Sequence, residues 1–214
     1  MKTMPTTAMP HPARLALAAI SALALCGCNT KPPACDAPAT LGVIQDIFYD
    51  HIAKTLRPLS SIGHDDKKLM PLIRANAEVK LTNILTEGYD EPANKISCSA
   101  GITITLVKSP ALVQPLKVLR AVGKLNTDHS DPLGLRTLYI ADFSRQLRLP
   151  KLPDVTGVEI NGEELSGPIK FASTFASDPK EGKKQYVSVM GIAPFIESTL
   201  ALATAGGFEN AAPK

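Results

Sequence analysis

Ile96-Ser97-Cys98-Ser99-Ala100-Gly101-Ile102-Thr103-Ile104-Thr105-Leu106 is the stretch on which the fold turns. Ile96, Cys98, Ala100, Ile102, Ile104 and Leu106 fall on one side of an extended chain, and Ser97, Ser99, Thr103 and Thr105 on the other. A period of two with an apolar and a hydroxyl-bearing side predicts a half-buried strand in a sheet with one wet face. Upstream, Gly88 to Asn94 collects Gly, Asp, Pro and Asn and reads as a turn. Before that turn, Ala77 to Thr86 alternates Ala77, Val79 and Leu81 against Glu78, Lys80 and Thr82, a second strand. The two form a hairpin.

Further toward the start, Leu41, Ile44, Ile47, Phe48, Ile52 and Leu56 recur every three or four residues. That spacing predicts an amphipathic helix opening at Cys35, with Asp36 as N-cap and Pro58 as its end. Its polar side is not basic, so it reads as a helix that covers a core. Leu59 to Leu69, with Ser60-Ser61, Gly63 and His64-Asp65-Asp66-Lys67-Lys68, reads as an exposed loop.

Downstream of the hairpin the periodicity loosens. Leu112 to Leu125 suits a short helix or strand, Asn126 to Gly134 a polar loop, and Thr137 to Phe143 is apolar and β-prone. Residues from about 109 to 155 therefore read as an irregular insert. Val155 to Ile160 then runs into Asn161-Gly162, a strong hairpin signal. In the return strand Ile169, Phe171, Ser173 and Phe175 share a face. After the Asp178 to Gly182 turn comes a last strand, Tyr186 to Ile192. Pro194 opens a final helix over Phe195 to Ala205, Gly206-Gly207 stop it, and Phe208 to Lys214 reads as a frayed tail. The expected fold class is α+β: an N-terminal amphipathic helix on a mainly antiparallel sheet, with an irregular insert and a short C-terminal helix.

The beginning of the chain follows a different logic. Lys2, His11 and Arg14 precede an apolar run from Leu15 to Leu25, the pattern of a secretory signal. Eleven residues make a helix of roughly 16 Å against a hydrocarbon core of roughly 30 Å, too short to span. Leu25-Cys26-Gly27-Cys28 resembles the lipobox of bacterial lipoproteins. That resemblance implies cleavage after Gly27, acylation of Cys28, a lipidated tether over residues 28–34 and a domain over residues 35–206. An ordinary signal peptide cleaved nearby is the rival, leaving Cys26 and Cys28 free for disulfides. Asn29, where an inner-membrane lipoprotein carries Asp, favours the outer membrane facing the periplasm.

Removing residues 1–27 from the 214 leaves 187, enough for a single sizeable core. The leader holds Lys2 and Arg14 and no acid, so the net charge falls from +3 to +1. A nearly neutral body gives no argument for nucleic acid as a partner. Under the lipobox reading only Cys35 and Cys98 remain in an oxidising compartment, and they are expected to pair; two separate buried thiols are the alternative. Leu81 to Ala100, LTNILTEGYDEPANKISCSA, is similar to a hairpin with a cysteine in its second strand found in small envelope lipoproteins with cystatin-like helix-on-sheet domains.

Chemistry is sparse. There is no GxSxG, HExxH, CxxC, P-loop or GxGxxG, so neither a catalytic residue nor a cofactor is expected. His51 borders the apolar stripe of the first helix. His64-Asp65-Asp66 and Asn126-Thr127-Asp128-His129-Ser130-Asp131 crowd polar groups but read first as solvated loop and turn, and no metal is expected. Arg136, Tyr139, Phe143, Arg145, Arg148 and Lys151 combine cations with aromatics and are the candidate partner-binding residues. A solvated strand edge guarded by charge and proline is the alternative. The expected function is a non-catalytic, membrane-anchored binding module with a protein partner in the envelope, such as an inhibitor or immunity protein against a cell-wall hydrolase or secreted toxin. A structural or assembly component of an envelope or secretion complex is the alternative.

Overall fold

The computed structural model describes residues 34–59, 66–127, 135–178 and 182–208. The signal and lipobox residues with Cys28, His64-Asp65, the Asp128 to Asp131 part of the second polar cluster with His129, the centre of the Asp178 to Gly182 turn, and residues 209–214 lie outside them.

The alternating stretch is a strand, β2 (Lys95–Leu106), with Cys98, Ala100, Ile102, Ile104 and Leu106 all buried. It lies between β1 (Ala77–Asp90) and β4 (Glu164–Asp178), antiparallel to both. The far edge of β4 is shared: β3 (Glu159–Asn161) pairs with Glu164 to Ser166, and β5 (Gly182–Met190) with Lys170 to Asp178. Pro168 falls in the gap between them, where that edge has no ladder to serve. The β3–β4 turn is one residue later than Asn161-Gly162 suggests. Asn161 pairs with Glu164, so Gly162 and Glu163 form the loop, with Gly162 at φ 58°. Glycine first with positive φ is the pattern of a type II′ turn.

β1 runs past Thr86 to Asp90, so the β1–β2 turn narrows to Glu91–Asn94. Two register shifts interrupt it, and Asn83 takes φ 50° at the first. Such bulges bend an edge strand without ending it.

The first helix, α1 (Pro38–Leu59), buries Ile44, Phe48, Ile52 and Leu56 on the stripe read from the sequence. Its start corrects the expectation at Asp36. Pro38 disfavours helical geometry in Ala37, so the helix begins at the proline itself, with the Ala37 carbonyl accepting from Leu41 N–H at 3.1 Å. Asp36 is exposed in the preceding turn.

Two further differences share one cause. Asp66–Asn76, its first turn read as loop, is α2, and Leu135–Leu147, inside the segment read as irregular and β-prone, is α4; between them Val113–Thr127 takes the helical of the two readings open to it, as α3. Thr137 to Phe143 is therefore helical. The helices bury apolar residues among charges and prolines: Leu69 and Ile73 in α2, Leu116, Leu119 and Val122 in α3, and Leu147 at the end of α4. Tertiary burial outweighs propensities of a few tenths of a kcal/mol per residue.

The last helix, α5 (Ala193–Thr204), is buried almost all round and touches each of the other four helices. Its Phe195 reaches down to β4 at Gly167. A Cβ there would stand 2.9 Å from Phe195 Cζ and run into the Gly157 carbonyl. Gly206, at φ 81°, ends α5 with its N–H on the Ala203 carbonyl and Gly207 N–H on Leu202 at 2.9 Å, a Schellman cap. Phe208 follows fully buried and belongs to the core, a correction to its assignment to the tail.

α1 is held to the sheet at three places. Cys35, just before it, forms a disulfide with Cys98 of β2. Gln45 Nε2 and Tyr49 OH donate to the Val79 and Ala77 carbonyls of edge strand β1, at 3.0 and 2.7 Å. On the opposite edge Gln185 Nε2 of β5 donates to Thr40 Oγ1 and to Ser173 Oγ, at 3.1 and 3.0 Å. This explains why Ser173 is tolerated on the apolar face of β4.

Two outcomes follow. The bridge spans 63 residues of sequence, so replacing both cysteines by serine lowers unfolding free energy by about 4 kcal/mol in the chain-entropy account, measured by denaturant titration. Burial raises the Tyr49 hydroxyl above the ordinary tyrosine value of 10.0, with Arg74 opposing and Glu78 reinforcing. The folded state thus holds that proton more tightly than the unfolded chain. Stability is fully present below pH 10.0 and falls as pH rises through the folded value. In Tyr49→Phe the alkaline slope is reduced, and stability at neutral pH drops by about 1 kcal/mol from the lost hydrogen bond.

Candidate functional site

α4 ends at Leu147 because Arg148 turns left-handed, at φ 53°. Leu149 N–H bonds the Ser144 carbonyl at 3.0 Å and Arg148 N–H that of Arg145 at 3.1 Å, again a Schellman arrangement. Arginine in place of the usual glycine makes this cap costly by about 1 kcal/mol. The chain then continues as Leu149-Pro150-Lys151-Leu152-Pro153, in which each proline holds its predecessor extended. The result is a stiff strap.

Glu197 of α5 fixes that strap. Its Oε2 accepts the Asp154 N–H at 2.6 Å and its Oε1 lies 3.4 Å from Lys151 Nζ. The Asp154 carboxylate in turn accepts the Thr156 N–H at 2.9 Å, closing the loop. Lys151 is largely exposed, with 76% of its side chain accessible, so the ion pair adds little; the bond to a backbone N–H is the stronger tie.

Beneath the strap lies a cleft of about 110 Å³, walled by Leu59 of α1, by Leu149, Leu152 and the two prolines, and by Leu200 of α5. Its lining is almost wholly carbon, with Lys151 and Glu197 at the rim. An apolar cavity of roughly 150 Å³ accepts benzene in other proteins, so this one suits a single aliphatic side chain.

The six residues singled out from the sequence separate here. Arg145 and Arg148 are exposed at the end of α4, next in the chain to the strap, and Lys151 is exposed at the rim of the cleft. Phe143 is half-buried against the core rather than displayed. Arg136 and Tyr139 lie on α4, and their side chains are outside the described residues. The alternative of a strand edge is excluded for residues 136–147, which are helical. Sequence reasoning missed Glu197, Leu59 and Leu200, which come from helices far off in the chain and carry no local signal. The basic, proline-punctuated run RQLRLPKLP was the visible part.

His51 is exposed on the flank of α1 and is no core residue. It lines a groove of about 450 Å³ with Ile47, Val187, Ser188, Val189 and Ile196, among which there is no carboxylate. Among the described residues no group of three His, Cys, Asp or Glu could hold a metal ion, and no helix is long and apolar enough to cross a membrane. No known protein family, curated protein or solved structure matches the chain.

Glu197→Ala frees the strap: it lowers stability by about 1–2 kcal/mol and speeds hydrogen exchange at the Asp154 amide, whereas Glu197→Gln retains most of both. Equal exchange in all three proteins contradicts the clamp.

Proposed function

We propose that this chain is a non-catalytic lipoprotein of the bacterial envelope, anchored through Cys28 to the outer membrane and acting as a periplasmic-side binding module that inhibits or neutralises a cell-wall hydrolase or secreted toxin. The observation that carries the reading is the preformed, stiff-walled apolar cleft with Lys151 at its rim and exposed Arg145 and Arg148 on the segment leading into the strap. A cavity for one aliphatic anchor beside exposed cations suits a protein segment that offers an apolar residue flanked by acids. The lipobox-like Leu25-Cys26-Gly27-Cys28 and the Cys35–Cys98 bridge support an extracytoplasmic setting.

The placement also fits. Residues 28–34 hold Cys35 within about 24 Å of a lipidated Cys28. The cleft sits at the other end of α1, about 30 Å along a 22-residue helix. The cleft and the point where the tether enters the domain therefore lie at opposite ends of α1.

The test uses the full chain produced in a bacterial host. Palmitate is incorporated into the wild type and not into Cys28→Ser. A photo-crosslinking residue at Leu149 yields one discrete adduct with an envelope or secreted hydrolase, and Leu152→Asp abolishes both adduct and inhibition. Absence of label sinks the anchor. A Leu149 adduct with a large membrane complex, with no enzyme inhibited, replaces the inhibitor reading with that of an assembly component.

A further inference from the structure

Apart from the strap's cleft, α3 carries Arg120 and Lys124 one turn apart, facing the loop Val155 to Val158. With Gly123 and Ile160 they enclose an open pocket of about 410 Å³. Two cations line it and no carboxylate does.

Arg120 is the informative residue. Its Nε donates to the Ile160 carbonyl at 3.3 Å and one Nη2 hydrogen to the Gly162 carbonyl at 2.9 Å. Both acceptors are uncharged, and they use two of the five guanidinium N–H donors. The group is half-buried, fixed in orientation, and in ion-pair contact with no carboxylate among the described residues. A partly desolvated, oriented guanidinium with donors to spare favours an anion.

The facing loop is arranged to the same end. Asp154 takes the Thr156 N–H and the Val155 carbonyl takes that of Val158, and the Gly157 N–H has no acceptor among the described residues. Gly157 adopts φ 75°, and the space where a Cβ would stand is open. Lys124 adds charge at the mouth and Thr156 a hydroxyl. The only carboxylate on the loop, that of Asp154, is already engaged by a backbone N–H.

We propose that this pocket binds a phosphate-type oxyanion, held by Arg120, Lys124 and the Thr156-Gly157 loop. A tetrahedral anionic group, whether a phosphate dianion or a singly charged phosphodiester, matches a forked donor, a flexible ammonium and the Thr156-Gly157 loop lining one cavity. The site joins α3 to the β3–β4 hairpin, so occupancy also stabilises the folded chain. The phosphate could belong to a soluble ligand or to a lipid head group, and the shared chemistry is what the pocket reads.

The experiment is calorimetric and thermal titration of the full chain in neutral detergent, with sodium phosphate against sodium chloride at equal ionic strength. A second arm uses dihexanoyl phosphatidylglycerol below its micelle concentration. Saturable binding of either phosphate source, with a rise in Tm that chloride does not give, supports the site; free phosphate alone points to a soluble ligand, the short-chain lipid alone to a head group. Lys124→Ala weakens binding about tenfold, as loss of one charge-assisted contact does. Thr156→Glu places a carboxylate in the pocket and removes binding while the unliganded Tm stays near that of the wild type. Phosphate behaving as chloride does in both arms, or Thr156→Glu binding as tightly as the wild type, overturns the proposal.

Discussion

The fold depends on one helix reaching both edges of a sheet. Gln45 and Tyr49 of α1 bond the carbonyls of β1, while Thr40 of the same helix accepts from Gln185 of β5. With β2 and β4 between them, those edges stand about 14 Å apart at ordinary strand spacing, and a helix with its side chains is about 10 Å across. Thr40 lies about one to three turns before Gln45 and Tyr49, and its partner strand β5 pairs at the Lys95 end of the β2–β4 ladder while Ala77 and Val79 pair at the Leu106 end, so α1 reaches both edges by crossing the sheet diagonally. Bulges interrupt the ladder of β1 on one edge, and on the other the ladder is broken at Pro168 between β3 and β5. The disulfide then fixes the position along the sheet at which the helix starts.

That arrangement explains which parts of the sequence were legible. The α1 stripe and the 96–106 alternation carry a single unbroken period over many residues, and both elements formed as read, within a few residues. The hairpin at Gly162 and the stop at Gly206 were legible because positive φ is a local demand that glycine answers. The cysteine pairing was legible by counting. α3 was legible only as helix or strand, and α2 and α4 were obscured because their stripes are short and interrupted: Pro71 sits inside α2, and β-prone Tyr139, Ile140 and Phe143 lie in α4. What makes them helical is α5, which meets all of them and which no local window contains.

α5 therefore has two tasks that compete for its surface. It is the hub of the helical layer, with small residues such as Ala201 and Ala203 fully buried and Thr204 donating to the last carbonyl of α4 at 2.8 Å. The Ser198 and Thr199 hydroxyls are buried without a hydrogen-bond partner, a cost of about 1–3 kcal/mol each that a purely structural helix would avoid with alanine or valine. Its one carboxylate, Glu197, is placed at the strap. The candidate cleft was half visible in the sequence for this reason: the strap announces itself by composition, and the helix that holds it does not.

Charge distribution ties the two pockets together. Between Lys108 and Lys151 there are eight Lys and Arg against three Asp, while the whole chain carries only +3, so the segment that supplies α3, α4 and the strap holds more than the entire positive excess. Were that excess a matter of solubility alone, it would be spread over the exposed face of the sheet. There, however, Lys80 and Lys170 are matched to Glu78 and Glu87 at 3.2 and 3.1 Å. On the helical side Arg120 is matched to carbonyls, and Arg145 and Arg148 lead into the strap of an apolar cleft. A net excess of cations in a segment whose surface is also concave is an electrostatic preference for acidic ligands, and it is confined to the part of the chain added to the simple helix-on-hairpin plan.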